Sequence, residues 1–250
     1  METVLSATIK KPKYFEKHID TVSTIVYNEI ADTVSTYCLT RKGAPMIKGT
    51  PELIAGRREE IINACEKLYG TMSFKEITLK EIGNEVPFSR PTIYNYFQTK
   101  EEIFLALLGR EYERWIADLE AIRDGNDSLT KEALASMIAH SLSDRPQLIK
   151  LIAMNIYDME ADSRLEQLTE FKKTYLKLIR TFETLFEKFL AGMTKDETKD
   201  LLYLFIPFIF GIYPMTNATE KQTEAMKTAG IDFDTKTAYE LTYEFLLKII

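Results

Sequence analysis

The chain has 250 residues, enough for one or two domains with a sizeable core, and its 45% apolar and 28% charged content is ordinary for a globular protein. Two cysteines, Cys38 and Cys65, are too few for a secreted disulfide framework and fit a reducing cytosol. The net charge of −6 excludes the basic footprint of a non-specific nucleic-acid binder. That charge is unevenly spread. Residues 46–110 hold nine basic and nine acidic side chains, residues 111–250 hold 17 and 24, and residues 1–45 hold six and five. No charged-apolar-small signal pattern opens the chain. The most apolar run, Leu201 to Met215, is 15 residues long and contains Pro207 and Gly211, short of the ~20 a membrane span needs.

Residues 1–45 fit poorly with the rest of the chain. They are rich in Thr, Val and Ser, and Asp20-Thr-Val-Ser-Thr24 recurs as Asp32-Thr-Val-Ser-Thr36. Thr50-Pro51 then reads as an N-cap with Pro at the first helical position. A helix runs from there to about Tyr69, with Ile54, Ile61, Ile62, Cys65 and Leu68 inward, and Gly70 ends it. Phe74 and Ile77 should pack beneath the next elements. Thr78 with Glu81 is a capping box, so a short helix carrying Leu79, Ile82 and Val86 begins there. Pro87 interrupts it. Ser89 is an N-cap and Pro91 lies in the first turn of the next helix, which carries Arg90, Thr92, Tyr94, Asn95 and Tyr96. Thr99 with Glu102 is a second capping box and opens a long helix.

A short helix of this composition suits a DNA major groove. Asn pairs with adenine, Arg reads guanine, and Thr touches the thymine methyl. Tyr hydroxyls, Ser89 and Lys100 can bind phosphates and set the register. Periodicity alone leaves a second reading open, in which Tyr94 and Tyr96 are half-buried packing residues of an ordinary helical domain.

The residues Ser89, Thr92, Ile93, Tyr94, Tyr96, Phe97, Thr99, Lys100, Glu101, Glu102 and Ile103 resemble the helix-turn-helix signature of TetR-type transcriptional repressors. The resemblance covers about Arg57 to Leu108. Two departures stand out. The family's turn usually has Gly-Val before the N-cap, whereas this chain has Pro87-Phe88, and Pro cannot take the left-handed conformation that Gly supplies. The position of Pro91 is often Gly in relatives. The resemblance implies an all-α fold with a three-helix DNA-binding domain over 46–110 and a larger helical effector-binding and dimerisation domain over 111–250. It implies a homodimer bound to a palindromic operator on double-stranded DNA. The DNA-binding set it points to is Thr78, Ser89, Arg90, Pro91, Thr92, Tyr94, Asn95, Tyr96 and Lys100.

Such repressors commonly bind palindromes beside their own promoters. Asp-Thr-Val-Ser can be encoded as GATACNGTATC, an inverted repeat, and Ile19 and Thr24 allow the symmetry to extend. Residues 1–45 therefore read as translated operator DNA, with native translation starting at Met46.

Glu101 to about Arg123 should form the long helix linking reader to body, with Ile103, Leu107, Tyr112, Trp115, Ile116 and Leu119 apolar. Asp124-Gly-Asn-Asp127 breaks it. Leu129 to Leu142 is one helix, and Asp144-Arg145-Pro146 caps another running to about Asp158. A long helix from about Arg164 to Leu190 carries Leu165, Leu168, Phe171, Tyr175, Leu178, Phe182, Phe186 and Phe189, and Gly192 stops it. Thr194 with Glu197 opens an apolar helix to about Tyr213. A polar loop with Asn217, Gly230 and Asp232 precedes a last helix, Thr235 to Ile250. No segment reads as a strand.

By resemblance the last two long helices dimerise. The alternative is that Phe205, Phe208 and Phe210 fill an intramolecular core. Candidate pocket residues for a small apolar or aromatic effector are Trp115, Met137, His140, Met154, Tyr157, Tyr175 and Phe208, although core packing suits each of them as well. Effector binding would move the linker helix and change the separation of the two readers. No hydrolase, phosphate-loop or metal-spaced motif appears, so no enzyme, cofactor or metal is expected. A protein-controlled regulator and an architectural DNA-binding dimer without an effector remain as rivals.

Overall fold

A computed structural model describes residues 50–154, 156–231 and 235–250, and every regular element among them is a helix. The reading of residues 1–45 as translated DNA, the repeat within them and the start at Met46 lie outside the described residues, as does Asp232. The head consists of α1 (Pro51–Tyr69), α2 (Leu79–Asn84) and α3 (Arg90–Ile93). Helix α4 (Lys100–Asp124) leaves the head and runs through the body, which adds α5 (Lys131–Ser143), α6 (Pro146–Ile152), α7 (Ile156–Ala161), α8 (Leu165–Phe189), α9 (Lys195–Thr216), α10 (Glu220–Thr228) and α11 (Ala238–Ile249).

Threonine starts most of these helices. Thr50, Thr78, Thr99, Thr130, Thr194, Thr219 and Thr237 each accept a backbone N–H from the first turn. Each such cap contributes about 1 kcal/mol. The boxes at Thr194–Glu197, Thr219–Gln222 and Thr237–Glu240 are fully reciprocal. Glu81 instead meets the Thr78 hydroxyl. Glu102 bypasses Thr99 and accepts the backbone N–H of Gln98 at 2.7 Å.

The long helices α4 and α8 pack along one another. Their shared core holds Leu105, Leu108, Trp115, Ile116, Leu178, Phe182 and Phe186, all buried. Trp115 sits edge-on to Phe182 at 5.2 Å and donates its indole N–H to Ser141 Oγ at 3.0 Å. Phe182 meets Phe205 of α9 at 5.5 Å, and α9 reaches α11 through Phe208 stacked on Phe245 at 3.9 Å. A second layer pairs α5 with α11, where Ser136 bonds Tyr239 at 3.1 Å.

Several helical boundaries differ from the sequence reading. The single helix expected from Pro146 to Asp158 is two, α6 and α7. Its break follows a tightening of the last turn, in which Met154 N bonds Leu151 O at 3.1 Å. The polar loop expected after Asn217 contains α10, which buries no residue. That helix rests on its cap and on the helix-forming run Glu-Lys-Gln-Thr-Glu-Ala-Met-Lys. The cap of α6 also shifts: Asp144 closes α5, and Arg145 precedes Pro146 without a side-chain cap. Helix α9 passes through Pro207 and Pro214, both on its solvent side, where a freed carbonyl costs least.

Candidate nucleic-acid interface

Helix α3 and the turn that follows it divide their side chains by face. Ile93, Tyr96 and Phe97 are buried, while Arg90, Pro91, Tyr94 and Asn95 point outward, with Tyr94 44% exposed. The α-helical turn is short, and the chain continues through tighter bonds, Asn95 N to Thr92 O at 3.1 Å and Tyr96 N to Ile93 O at 2.9 Å. The expected longer recognition helix is thus one α-turn with a tighter extension. Ser89 and Thr92 hydroxyls lie 3.0 Å apart at its start. Thr78 is exposed at the start of α2.

The turn between α2 and α3 dispenses with a left-handed residue. Among the described residues only Gly192 and Gly230 have positive φ. Glu85 leaves α2 in a right-handed conformation and Ser89 enters α3 extended. Pro87 therefore meets no conformational conflict. Arg57 of α1 lies over the Phe88 ring at 5.7 Å, and Lys67 pairs with Glu85 at 2.6 Å, so α1 supports both sides of the turn.

A family profile described as bacterial regulatory proteins, tetR family, matches residues 61–107. A second, tetracyclin repressor-like C-terminal domain, matches residues 109–247, which is more than half of the chain. The chain belongs to the TetR family. That family comprises transcriptional regulators, and the head of this chain matches its helix-turn-helix domain. It is 25% identical over 91 residues to the HTH-type transcriptional repressor Rv1474c of Mycobacterium tuberculosis, which is 36% of this chain and 48% of that protein. The chain thus matches about half the length of this curated relative. A solved TetR-family transcriptional regulator from Mesorhizobium loti aligns with a TM-score of 0.49 and 18% identity, covering 78% of this chain and 97% of that one.

Two residues of the expected DNA-contact set have internal roles in this TetR-family head. Tyr96 is 4% exposed, so its ring packs in the core. Lys100 donates to the carbonyls of Phe74 at 2.8 Å and Ile77 at 3.2 Å and lies over the Phe74 ring, so its ammonium closes the loop before α2. Sequence periodicity cannot separate these roles, because Tyr and Lys suit a half-buried site as well as a phosphate contact.

The reader is tied to the body through one buried carboxylate. Glu102 is fully buried and accepts from Arg164 Nε at 2.6 Å, Arg164 Nη2 at 2.8 Å and Arg164 N at 3.0 Å. Arg164 Nη2 also donates to Tyr96 O at 3.0 Å, directly after α3. Burial pushes the Glu102 pKa up, but the bonds from Arg164 and from the Gln98 N–H outweigh it and hold the group below its ordinary value. Thr99 adds a bond to Asp162 O at 3.2 Å. The sequence marks Glu102 only as a capping residue; its partner lies 62 positions away, and no local signal points to it.

Each of the seven residues expected to line an effector pocket can be placed by its own surroundings among the described residues. Trp115 is enclosed by Ser141 and Phe182. Met154 accepts the Tyr69 hydroxyl at 3.1 Å. His140 lies against Tyr239 at 4.3 Å with the rings tilted, and Phe208 stacks on Phe245. Tyr175 lies beside Tyr112 at 6.3 Å. Met137 is half-buried, and Tyr157 is 81% exposed.

Proposed function

We propose that this regulator is a homodimeric repressor that reads a palindromic operator with the outer face of α3. The carrying observation is the division of that helix and the turn that follows it, with Arg90, Pro91, Tyr94 and Asn95 exposed while Ile93, Tyr96 and Phe97 anchor them. Asn95 and Arg90 supply base-edge hydrogen bonds, and Thr78, Ser89 and Thr92 position the backbone. A near-neutral head supports modest phosphate affinity, with more weight on base contacts and two-fold symmetry.

The dimer forms through α9 and α11. Tyr203, Leu204, Phe210 and Met215 make an exposed stripe on α9, and Leu247 of α11 is also exposed. Phe205 is buried in the chain's own core, so α9 serves both an internal and an outer apolar face. Leu204→Glu together with Phe210→Glu should convert a dimer to a monomer in light scattering, with the helical signal intact.

The operator lies in the DNA encoding residues 1–45. The test is binding of the full chain to that duplex, against a scrambled duplex at the same salt. Tight, symmetric binding lost in Asn95→Ala is expected; equal affinity for both duplexes would remove this operator. A small-molecule effector releases the dimer in the cytoplasm. Persistence of the complex in the presence of every small molecule from the host's extract would favour the architectural or protein-controlled alternative.

A further inference from the structure

A groove of about 280 Å³ opens where α1 of the head meets α4 and α8 of the body. None of the seven expected pocket residues lines it. Its apolar wall includes Ile62, Leu105, Ala106 and Phe171, and its polar side holds Arg58, Arg110 and Gln167.

The two arginines are unequally satisfied. Arg58 donates to the neutral Gln167 Oε1 at 3.0 Å and has no carboxylate within ion-pair distance among the described residues. Burial lowers its pKa, against the opposing fields of Glu59, Glu170 and Glu102. Arg110 binds Glu59, Asn63 and Glu66 with its terminal nitrogens, yet its Nε is buried without an acceptor. The rim carboxylates are already matched to cations: Glu59 to Arg110, Glu113 to Lys177 and Glu170 to Lys173. The groove therefore has surplus donors beside apolar wall, and a desolvated guanidinium without an anion is costly to maintain.

We propose that this groove binds a small organic carboxylate, with the carboxylate on Arg58 and the apolar body against Leu105, Ala106 and Phe171. The volume is at the low end for ligand sites and restricts the occupant to a small molecule. Binding competes for the guanidinium that Gln167 now engages. Gln167 Nε2 lies 3.4 Å from Tyr96 O, and the Arg58 guanidinium lies 4.5 Å above the Phe97 ring, so occupancy alters the support of α3. This consequence, unlike the binding itself, rests on the DNA-reading role proposed above.

The test is an NMR titration of the full chain with hexanoate, without DNA, up to ~20 mM, since a ligand this small binds with a Kd on the order of 1 mM. Saturable binding is expected, with hexanamide and hexylammonium weaker by about 10-fold or more, because a charge-assisted pair is lost. Arg58→Gln should weaken hexanoate by a similar factor. Ala106→Leu, which keeps both arginines and narrows the groove, should also weaken it; both variants are checked for an unchanged fold by circular dichroism. No saturation by hexanoate, equal affinity for hexanamide, or unchanged affinity in both variants overturns the site. Hexanoate binding without any change in operator affinity overturns the coupling to α3. Failure of the unliganded chain to bind any duplex refutes the DNA-reading role instead, and the titration still decides the site.

Discussion

Replacing Arg164 by Met should destabilise the fold by about 2–3 kcal/mol at neutral pH. The substitution deletes three hydrogen bonds, two to Glu102 and one to Tyr96 O. Breaking a buried ion pair typically costs about 3–5 kcal/mol, because the remaining charge is left in a poor solvent. Two facts reduce that here. The carboxylate keeps the N–H groups of Gln98 and residue 164, and the Arg164 side chain is 29% exposed, which admits water on deletion. Urea unfolding followed by circular dichroism measures the loss, and a midpoint lower by roughly 1 M is expected. Adding Glu102→Gln should recover about half of it, since the stranded charge is then gone. The pH dependence has a definite sign. The Glu102 pKa in the folded chain lies below its ordinary 4.5, so the pair stabilises fully above that value and its contribution fades as the pH falls. The cost of Arg164→Met should shrink in the same direction. A variant within ~0.5 kcal/mol of the parent at pH 7, or a double variant weaker than the single, would refute the reasoning.

Two glycines should respond in opposite ways. Gly109 lies inside α4, and an added Cβ would meet Phe171 at 3.9 Å, ordinary contact, so Gly109→Ala should stabilise by about 0.5–1 kcal/mol in the same urea assay. Gly192 ends the segment after α8 at φ +98°, where a side chain is strained, so Gly192→Ala should destabilise by about 1–2 kcal/mol although nothing lies near its Cβ. Cys65 is fully buried, and burial pushes its thiol from 9.0 up to about 12. It should resist iodoacetamide in the folded chain at pH 8, read by mass spectrometry of its peptide, and react only on unfolding. The folded state retains that proton, so this thiol's contribution to stability is complete below 9.0 and declines as the pH rises toward 12. Thr237→Ala, which removes the reciprocal cap of α11, should cost about 1 kcal/mol.

The sequence by itself determined the helices and most of their starts. Their signals are local: Thr caps, Pro in a first turn, and apolar spacing of three or four. The TetR-type head was legible for the same reason, since its motif is contiguous from Ser89 to Ile103. Where local signals are equivocal, the expectations fail: the Thr219–Gln222 cap of α10 lies inside a polar stretch, and nothing in the sequence marks the break between α6 and α7. Tertiary structure alone decided which side chains face outward from α3 to the start of α4, because Tyr96 and Lys100 can serve either a core or a phosphate. It alone decided that Trp115, Met154, His140 and Phe208 separate into different packing contacts, and that Arg58, Arg110 and Gln167 converge on one groove. Glu102 finds Arg164 across 62 positions, and α1 meets α8 only when the chain has closed. Such pairings depend on where whole helices cross, and no periodicity of a single helix encodes the residue that will lie opposite.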